Sequence, residues 1–126
     1  MADQKRKILV IDDDETSRSI VKFHLEGTGK YEVTSASTGA EGVQAARRIQ
    51  PRLILIDILM PGMSGTDVAE KLMDSPATKD IPMIFLTGAV TKDDISTQGG
   101  FVGGRRFLAK PVSRQDLISV VDSVFQ

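Results

Sequence analysis

Three short apolar runs, Ile8-Leu9-Val10-Ile11, Leu53-Ile54-Leu55-Ile56 and Met83-Ile84-Phe85-Leu86, constrain the fold more than anything else in this sequence. Each is too short for a core helix, rich in branched side chains, and bounded by polar or turn residues. A strand with one buried face alternates apolar and polar residues, whereas a strand covered on both faces has no reason to. The runs therefore predict interior strands of a parallel sheet. Two weaker runs, over 31–36 and 106–109, bring the expected number of strands to five.

Between the runs the apolar spacing becomes helical. Ile20, Val21, His24 and Leu25 share a face over 16–26, and Gly27 is a natural stop. Val43, Ala46 and Ile49 form a stripe over 40–49, ended by Pro51, and Val68, Ala69, Leu72 and Met73 form another over 66–73. Ser113 is a good N-cap for the last helix, with Asp116 placed to favour its positive end and Leu117, Ile118, Val121, Val124 and Phe125 as its apolar stripe. A short or frayed helix is expected over 92–98, making five helices. Gly99-Gly100-Phe101-Val102-Gly103-Gly104 then reads as a flexible turn into the fifth strand, since each interior glycine costs a helix about 1 kcal/mol relative to alanine. These glycines are not a dinucleotide fingerprint, which needs a strand before and a helix after.

Strict alternation of strand and helix predicts an α/β fold with helices on both faces of the sheet. Right-handed crossovers leave few topologies, and the expected one is a doubly wound, flavodoxin-like sheet of five parallel strands in the order 2-1-3-4-5. A length of 126 residues suits one domain. A net charge of −1 argues against a general nucleic-acid binder, the absence of cysteine excludes disulfide scaffolds and thiol chemistry, and a single histidine excludes a His-rich metal centre. The polar start lacks the features of a signal peptide, and no stretch approaches the ~20 apolar residues of a spanning helix. The expected location is the cytoplasm, with no membrane partner.

Such a sheet places its ligand beyond the carboxyl ends of the strands, where strand order reverses. The chemistry of this sequence lies there. Asp12, Asp13, Asp14 and Glu15 follow the first run, Asp57 the third strand, Thr87 and Gly88 the fourth, and Lys110 and Pro111 the fifth. Taken singly, each residue has an ordinary structural explanation; Asp14, for instance, suits a helix cap. Taken together, crowded carboxylates need a compensating cation, and carboxylate and carbonyl oxygens suit a hard ion such as Mg²⁺. Such a site suits a phosphoryl group, with Lys110 as a second positive charge, Thr87 as a hydrogen-bond donor and a carboxylate as the nucleophile.

The blocks Ile8-Leu9-Val10-Ile11-Asp12-Asp13-Asp14-Glu15, Asp57-Ile58-Leu59-Met60-Pro61-Gly62-Met63-Ser64-Gly65, Leu86-Thr87-Gly88 and Phe107-Leu108-Ala109-Lys110-Pro111 occur in the order found in one family. Along essentially its whole length the chain resembles the receiver domain of bacterial two-component response regulators. The resemblance implies that Asp57 accepts a phosphoryl group from the phosphohistidine of a sensor kinase or phosphotransfer protein. It implies that Asp12, Asp13, Asp57 and the backbone carbonyl of Leu59 hold Mg²⁺, or Mn²⁺ in its place. Thr87 and Lys110 would bond the phosphoryl oxygens, with Gly88 in the phosphoryl loop and Phe107 as the aromatic switch that turns inward when Thr87 moves. The Lys110–Pro111 bond would be cis. The output would be a changed surface of the fourth helix, fifth strand and fifth helix, read by a downstream protein. Catalysis would extend only to the chain's own phosphorylation and dephosphorylation. The expectation is one receiver domain over 1–126, with no output domain.

Departures from the family pattern sharpen the expectation. Gly88 stands where alanine is frequent and gives the loop more freedom. Leu59 and Ala89, two residues beyond Asp57 and Thr87, are apolar and cannot orient an attacking water, which predicts a long-lived phospho-form. Gly99, Gly100, Gly103 and Gly104 loosen the end of the fourth helix, while Arg105 and Arg106 add positive charge that suits an acidic partner surface. The alternative from another class is a haloacid-dehalogenase-type phosphatase using Asp12 and Asp14, whose Asp-x-Asp-x-Thr motif is present through Thr16. That family needs a further acidic pair after the lysine, where this chain offers only Asp116 and Asp122, and it leaves Asp57 unexplained. A flavin module would share the fold, but Asp12 to Glu15 would repel its phosphate.

Overall fold

The computed structural model describes residues 5–88, 101–102 and 105–125. The chain runs β1 (Arg6–Ile11), α1 (Glu15–Glu26), β2 (Tyr31–Ala36), α2 (Gly39–Ile49), β3 (Leu53–Asp57), α3 (Gly65–Met73), β4 (Met83–Thr87), β5 (Phe101–Val102), β6 (Arg105–Ala109) and α4 (Arg114–Val124). The sheet order is β2-β1-β3-β4-β6-β5. Strands β2, β1, β3, β4 and β6 are all parallel, which is the expected 2-1-3-4-5 order. One expectation needs adjustment. The glycine-rich segment contains a strand: β5 pairs antiparallel with β6, Phe101 opposite Arg106 and Val102 opposite Arg105. Two residues between glycine pairs are too few to show a period, so the sequence could not reveal it. Among the described residues there are four helices. The helix expected over 92–98, together with Ala89, Gly99, Gly100, Gly103 and Gly104, lies outside the described residues.

The unbroken apolar runs have a direct cause. Successive residues of a strand face opposite sides. Ile8, Val10, Leu53, Leu55, Ile84, Leu86 and Leu108 pack with Val21 and Leu25 of α1 and Leu117 and Val121 of α4. Leu9, Ile11, Ile54, Ile56 and Phe85 pack on the other side with Val43 and Ala46 of α2 and Val68, Ala69 and Leu72 of α3. Both faces are covered, so none of the three apolar runs leaves a position for a polar side chain until the strands reach their ends.

Local signals set the helix ends. Thr38, Ser64 and Ser113 cap α2, α3 and α4 by accepting from backbone N–H groups three residues on. Ending α2, Gln50 adopts a left-handed φ of 50° ahead of Pro51, and its side-chain amide donates to the carbonyls of Ala46 and Arg47. Helix α1 stops at Gly27, yet Gly27 keeps a right-handed φ of −62°. The left-handed turn into β2 falls on Gly29, with φ 79°.

Strand β2 forms an outer edge of the sheet. The carbonyls of Lys30 and Ala36 accept from β1 and from Asp12, so the intervening Val33 turns its own amide groups outward. They are taken by α1: Glu26 Oε2 accepts from Val33 N–H at 3.0 Å, and Lys22 Nζ donates to Val33 O at 3.3 Å. Lys22 and Glu26 also pair with each other at 3.6 Å.

Candidate functional site

Sheet register assembles the site. Ile11 of β1 lies beside Ile56 of β3, so Asp12 and Asp57, the next residues of each chain segment, emerge side by side. Thr87 of β4 lies beside Ala109 of β6, which brings Lys110 to the same end. Asp12, Asp57 and Thr87 are buried, an unusual state for such groups that requires compensation.

The carboxylates of Asp12, Asp13 and Asp57 each offer an oxygen within 4.8 Å of the others. Lys110 stands between the two buried ones, with Nζ 2.9 Å from Asp12 Oδ2 and 3.4 Å from Asp57 Oδ1. Its backbone N–H donates to Thr87 O at 2.9 Å, and its peptide bond to Pro111 is cis, as expected. Burial pushes the Asp57 carboxyl up to about 6; Asp12 adds to this, Lys110 opposes it, and Asp13 adds further. For Lys110, burial works toward a lower pKa, but its hydrogen bond to Asp12 and the charges of Asp12 and Asp57 raise it above the ordinary lysine value. One ammonium therefore leaves negative charge uncompensated in the pocket. A donor set of carboxylate oxygens carrying that excess fits a hard divalent cation.

The loops holding these groups are tightly tied. Asp14 N–H donates to Asp12 Oδ1 at 2.9 Å. Asp14 itself is the N-cap of α1, accepting from Thr16 N–H at 3.2 Å and Ser17 Oγ at 3.0 Å. The Ser17 hydrogen bond lowers its pKa; desolvation opposes this, and the backbone N–H groups of Thr16 and Ser17 add to the lowering. Beyond Asp57, Ile58 N–H donates to Leu86 O and Gly65 N–H to Ile58 O. Gly65 sits so close to β3 that a Cβ there would lie 2.3 Å from the Asp57 carbonyl oxygen.

The remaining predicted residues take distinct places. Leu59 is 64% exposed. Gly88 is exposed at the end of β4. Phe107 is half-buried and stacks on the buried ring of Phe85, centroids 5.3 Å apart. Arg106 is half-buried rather than fully solvated. Of the acids after Lys110, Asp122 lies on α4 away from the pocket, where Lys30 and Tyr31 at the other end of the sheet donate to it. With Asp14 engaged as a cap and Asp122 remote, the geometry gives the phosphatase alternative no support. Sequence reasoning missed Arg18, whose guanidinium donates to the Asp12 carbonyl at 2.9 Å. Its six-residue spacing from Asp12 was the only available signal.

Comparison with known proteins agrees with this geometry. The family model of the response regulator receiver domain matches residues 8–122. The chain is 36% identical over 118 residues to the response regulator PleD of Caulobacter vibrioides, covering 94% of this chain but only 26% of PleD. It is 34% identical over 120 residues to Protein PilH of Pseudomonas aeruginosa, covering 94% of this chain and 96% of PilH. The chemotaxis response regulator CheY4 of Vibrio cholerae has a similar structure, with a TM-score of 0.81 at 27% identity over 96% of this chain and 99% of that one.

Proposed function

The chain belongs to the response regulator receiver domain family, the phosphorylation-dependent switch of two-component signalling, and from that premise we propose that Asp57 is its phosphoryl acceptor. The observation that carries the assignment is Lys110, which contacts both buried carboxylates at the meeting point of β1, β3 and β6. An aspartate that is buried, crowded by two other acids and reached by a lysine is suited to receiving a group that a cation must then accompany.

Asp12, Asp13 and Asp57, with the backbone carbonyl of Leu59, would hold Mg²⁺ or Mn²⁺. When bound, the ion neutralises oxygens of the phosphoryl group being transferred. An Asp57 oxygen attacks phosphorus, the P–N bond to the donor histidine breaks, and the imidazole recovers its nitrogen lone pair. Lys110 exchanges its contact with Asp57 for one with a phosphoryl oxygen. The Thr87 hydroxyl donates to another, and Gly88 leaves room for the group. Movement of Thr87 toward the phosphoryl group makes space for Phe107, which changes the outer face near β6 and α4. The donor is a sensor histidine kinase or phosphotransfer protein, and the reader of the altered surface is a downstream protein rather than nucleic acid. The reaction is the domain's own phosphorylation and dephosphorylation. No helix among the described residues is long and apolar enough to cross a membrane, and the cytoplasm is the proposed location.

Incubation with Mg²⁺ and a small phosphodonor should add one phosphoryl group by mass spectrometry, and Asp57→Ala should abolish the adduct. The same adduct in Asp57→Ala would overturn the assignment.

A further inference from the structure

Arg18 stands in the first turn of α1, where its N–H donates to Asp14 O at 3.0 Å. Its side chain turns back toward β1, and Nη1 donates to the Asp12 carbonyl oxygen at 2.9 Å. Asp12 is fully buried, and its other polar atoms are also engaged. Its N–H donates to Ala36 O at 3.1 Å, its Oδ1 accepts from Asp14 N–H at 2.9 Å, and its Oδ2 faces Lys110 Nζ at 2.9 Å. Three of these four ties come from the loop itself or the pocket and the neighbouring strand. The fourth is a charged side chain from a helix.

An arginine fork is suited to carboxylates, and three carboxylates lie in this pocket. Arg18 nevertheless donates to a main-chain oxygen. That choice fixes the peptide plane between Asp12 and Asp13, and with it the directions in which both side chains leave the backbone. We infer that Arg18 is a positioning residue: its clamp on the Asp12 carbonyl aims the Asp12 and Asp13 carboxylates and so sets the pocket's affinity for a divalent cation. The inference rests on the reading of that pocket as the Mg²⁺ site.

Two roles for Arg18 predict opposite signs. A guanidinium acting only through its charge repels an incoming cation, so neutralising it would tighten Mg²⁺ binding. A guanidinium acting as a clamp holds the ligands in place, so neutralising it would weaken binding. Outer partners of metal ligands change affinity by about tenfold or more when removed.

The test is calorimetric titration of MgCl₂ into the whole chain, without phosphodonor, for wild type, Arg18→Met, Arg18→Gln, Arg18→Lys and Asp13→Asn. The expected result is about tenfold weaker binding in Arg18→Met. Arg18→Lys, which keeps a charged donor, should recover most of the loss. Arg18→Gln, a neutral donor of shorter reach, should fall between them and serves if Arg18→Met does not fold. Amide resonances of Asp12 to Asp14 should shift in Arg18→Met while those of α4 stay in place, which a general loosening of the fold would not produce. Unchanged or tighter Mg²⁺ binding in Arg18→Met and Arg18→Gln overturns the inference while leaving the metal site intact. Wild-type protein that binds no Mg²⁺, or binds it equally after Asp13→Asn, overturns both.

Discussion

Replacing Gly65 with alanine separates packing from propensity. Gly65 is the first residue of α3, where alanine is intrinsically better than glycine by up to about 1 kcal/mol. Propensity alone therefore predicts a more stable protein. The structure predicts the reverse. A Cβ at this position would lie 2.3 Å from Asp57 O, 2.8 Å from Ile58 Cα and 2.9 Å from Asp57 C. All three are backbone atoms at the end of β3, whose five residues are all buried. They cannot swing aside like the tip of a flexible side chain. Relief requires α3 to move away from β3 by about 1 Å, which is overpacking of a kind that costs about 1–3 kcal/mol. The same movement stretches the 2.9 Å hydrogen bond from Gly65 N–H to Ile58 O, a loss of about 1 kcal/mol. After the propensity gain, the net expectation is destabilisation of about 2 kcal/mol. Urea denaturation followed by far-UV circular dichroism measures it, with Gly62→Ala as comparison. Gly62 has φ 81° and nothing within 4 Å of its Cβ position, so its cost comes from backbone conformation alone. Because the clash falls on the Asp57 peptide, Gly65→Ala should also slow phosphorylation, which Gly62→Ala should not. A Gly65→Ala protein as stable as wild type, with unchanged phosphorylation, would refute the argument.

Further outcomes are expected. In metal-free protein the raised pKa of Asp57 means that the folded state holds its proton more firmly than the unfolded chain. Stability therefore falls as pH rises from about 4 to about 6, and Asp57→Asn should be more stable than wild type at neutral pH by about 2 kcal/mol, an advantage that Mg²⁺ removes; equal stability without Mg²⁺ would contradict this. At the other end of the sheet, hydrogen bonds from Lys30 and then Tyr31 lower the pKa of Asp122. Tyr31→Phe should cost about 1 kcal/mol at neutral pH, and its deficit should shrink as the pH drops below about 4 and Asp122 takes up a proton; a deficit constant through that range counts against the link. Leu59→Asn and Ala89→Glu should each shorten the lifetime of phospho-Asp57, and decay in wild type as fast as in these variants would show that apolar residues there do not protect the phosphoryl group.

The parts of the fold visible in the sequence were those written in apolar side chains. Ile8 to Ile11, Leu53 to Ile56 and Met83 to Leu86 are uninterrupted because each alternates between two covered faces, and a pattern with that cause can be read directly. The ends of those runs then located Asp12, Asp57, Thr87 and Lys110, because a parallel sheet carries every strand's C-terminus to one edge. Interactions through the main chain were harder to read. Arg18 has no apolar period and no charged partner to announce it, since its acceptor is a carbonyl oxygen. Gly27 and Gly29 look equivalent in sequence, and only the path of the chain into β2 puts the positive φ on Gly29. Phe101 and Val102, between glycine pairs, form a strand because β6 offers an edge, which is a tertiary cause.

The clasp of Lys22 and Glu26 on Val33 has a consequence for how other molecules can meet this domain. An open sheet invites polymerisation, because an exposed edge is a template for any extended peptide. Here the centre of the β2 edge is already hydrogen-bonded to side chains. A strand pairing with Val33 would have to displace both side chains first. Recognition by β-augmentation is thereby discouraged at the middle of the β2 edge, where a partner would have to compete with α1 for the same backbone groups. Replacing both Lys22 and Glu26 with alanine would uncover the Val33 amide groups, and the protein would become prone to edge-to-edge aggregation at concentrations wild type tolerates.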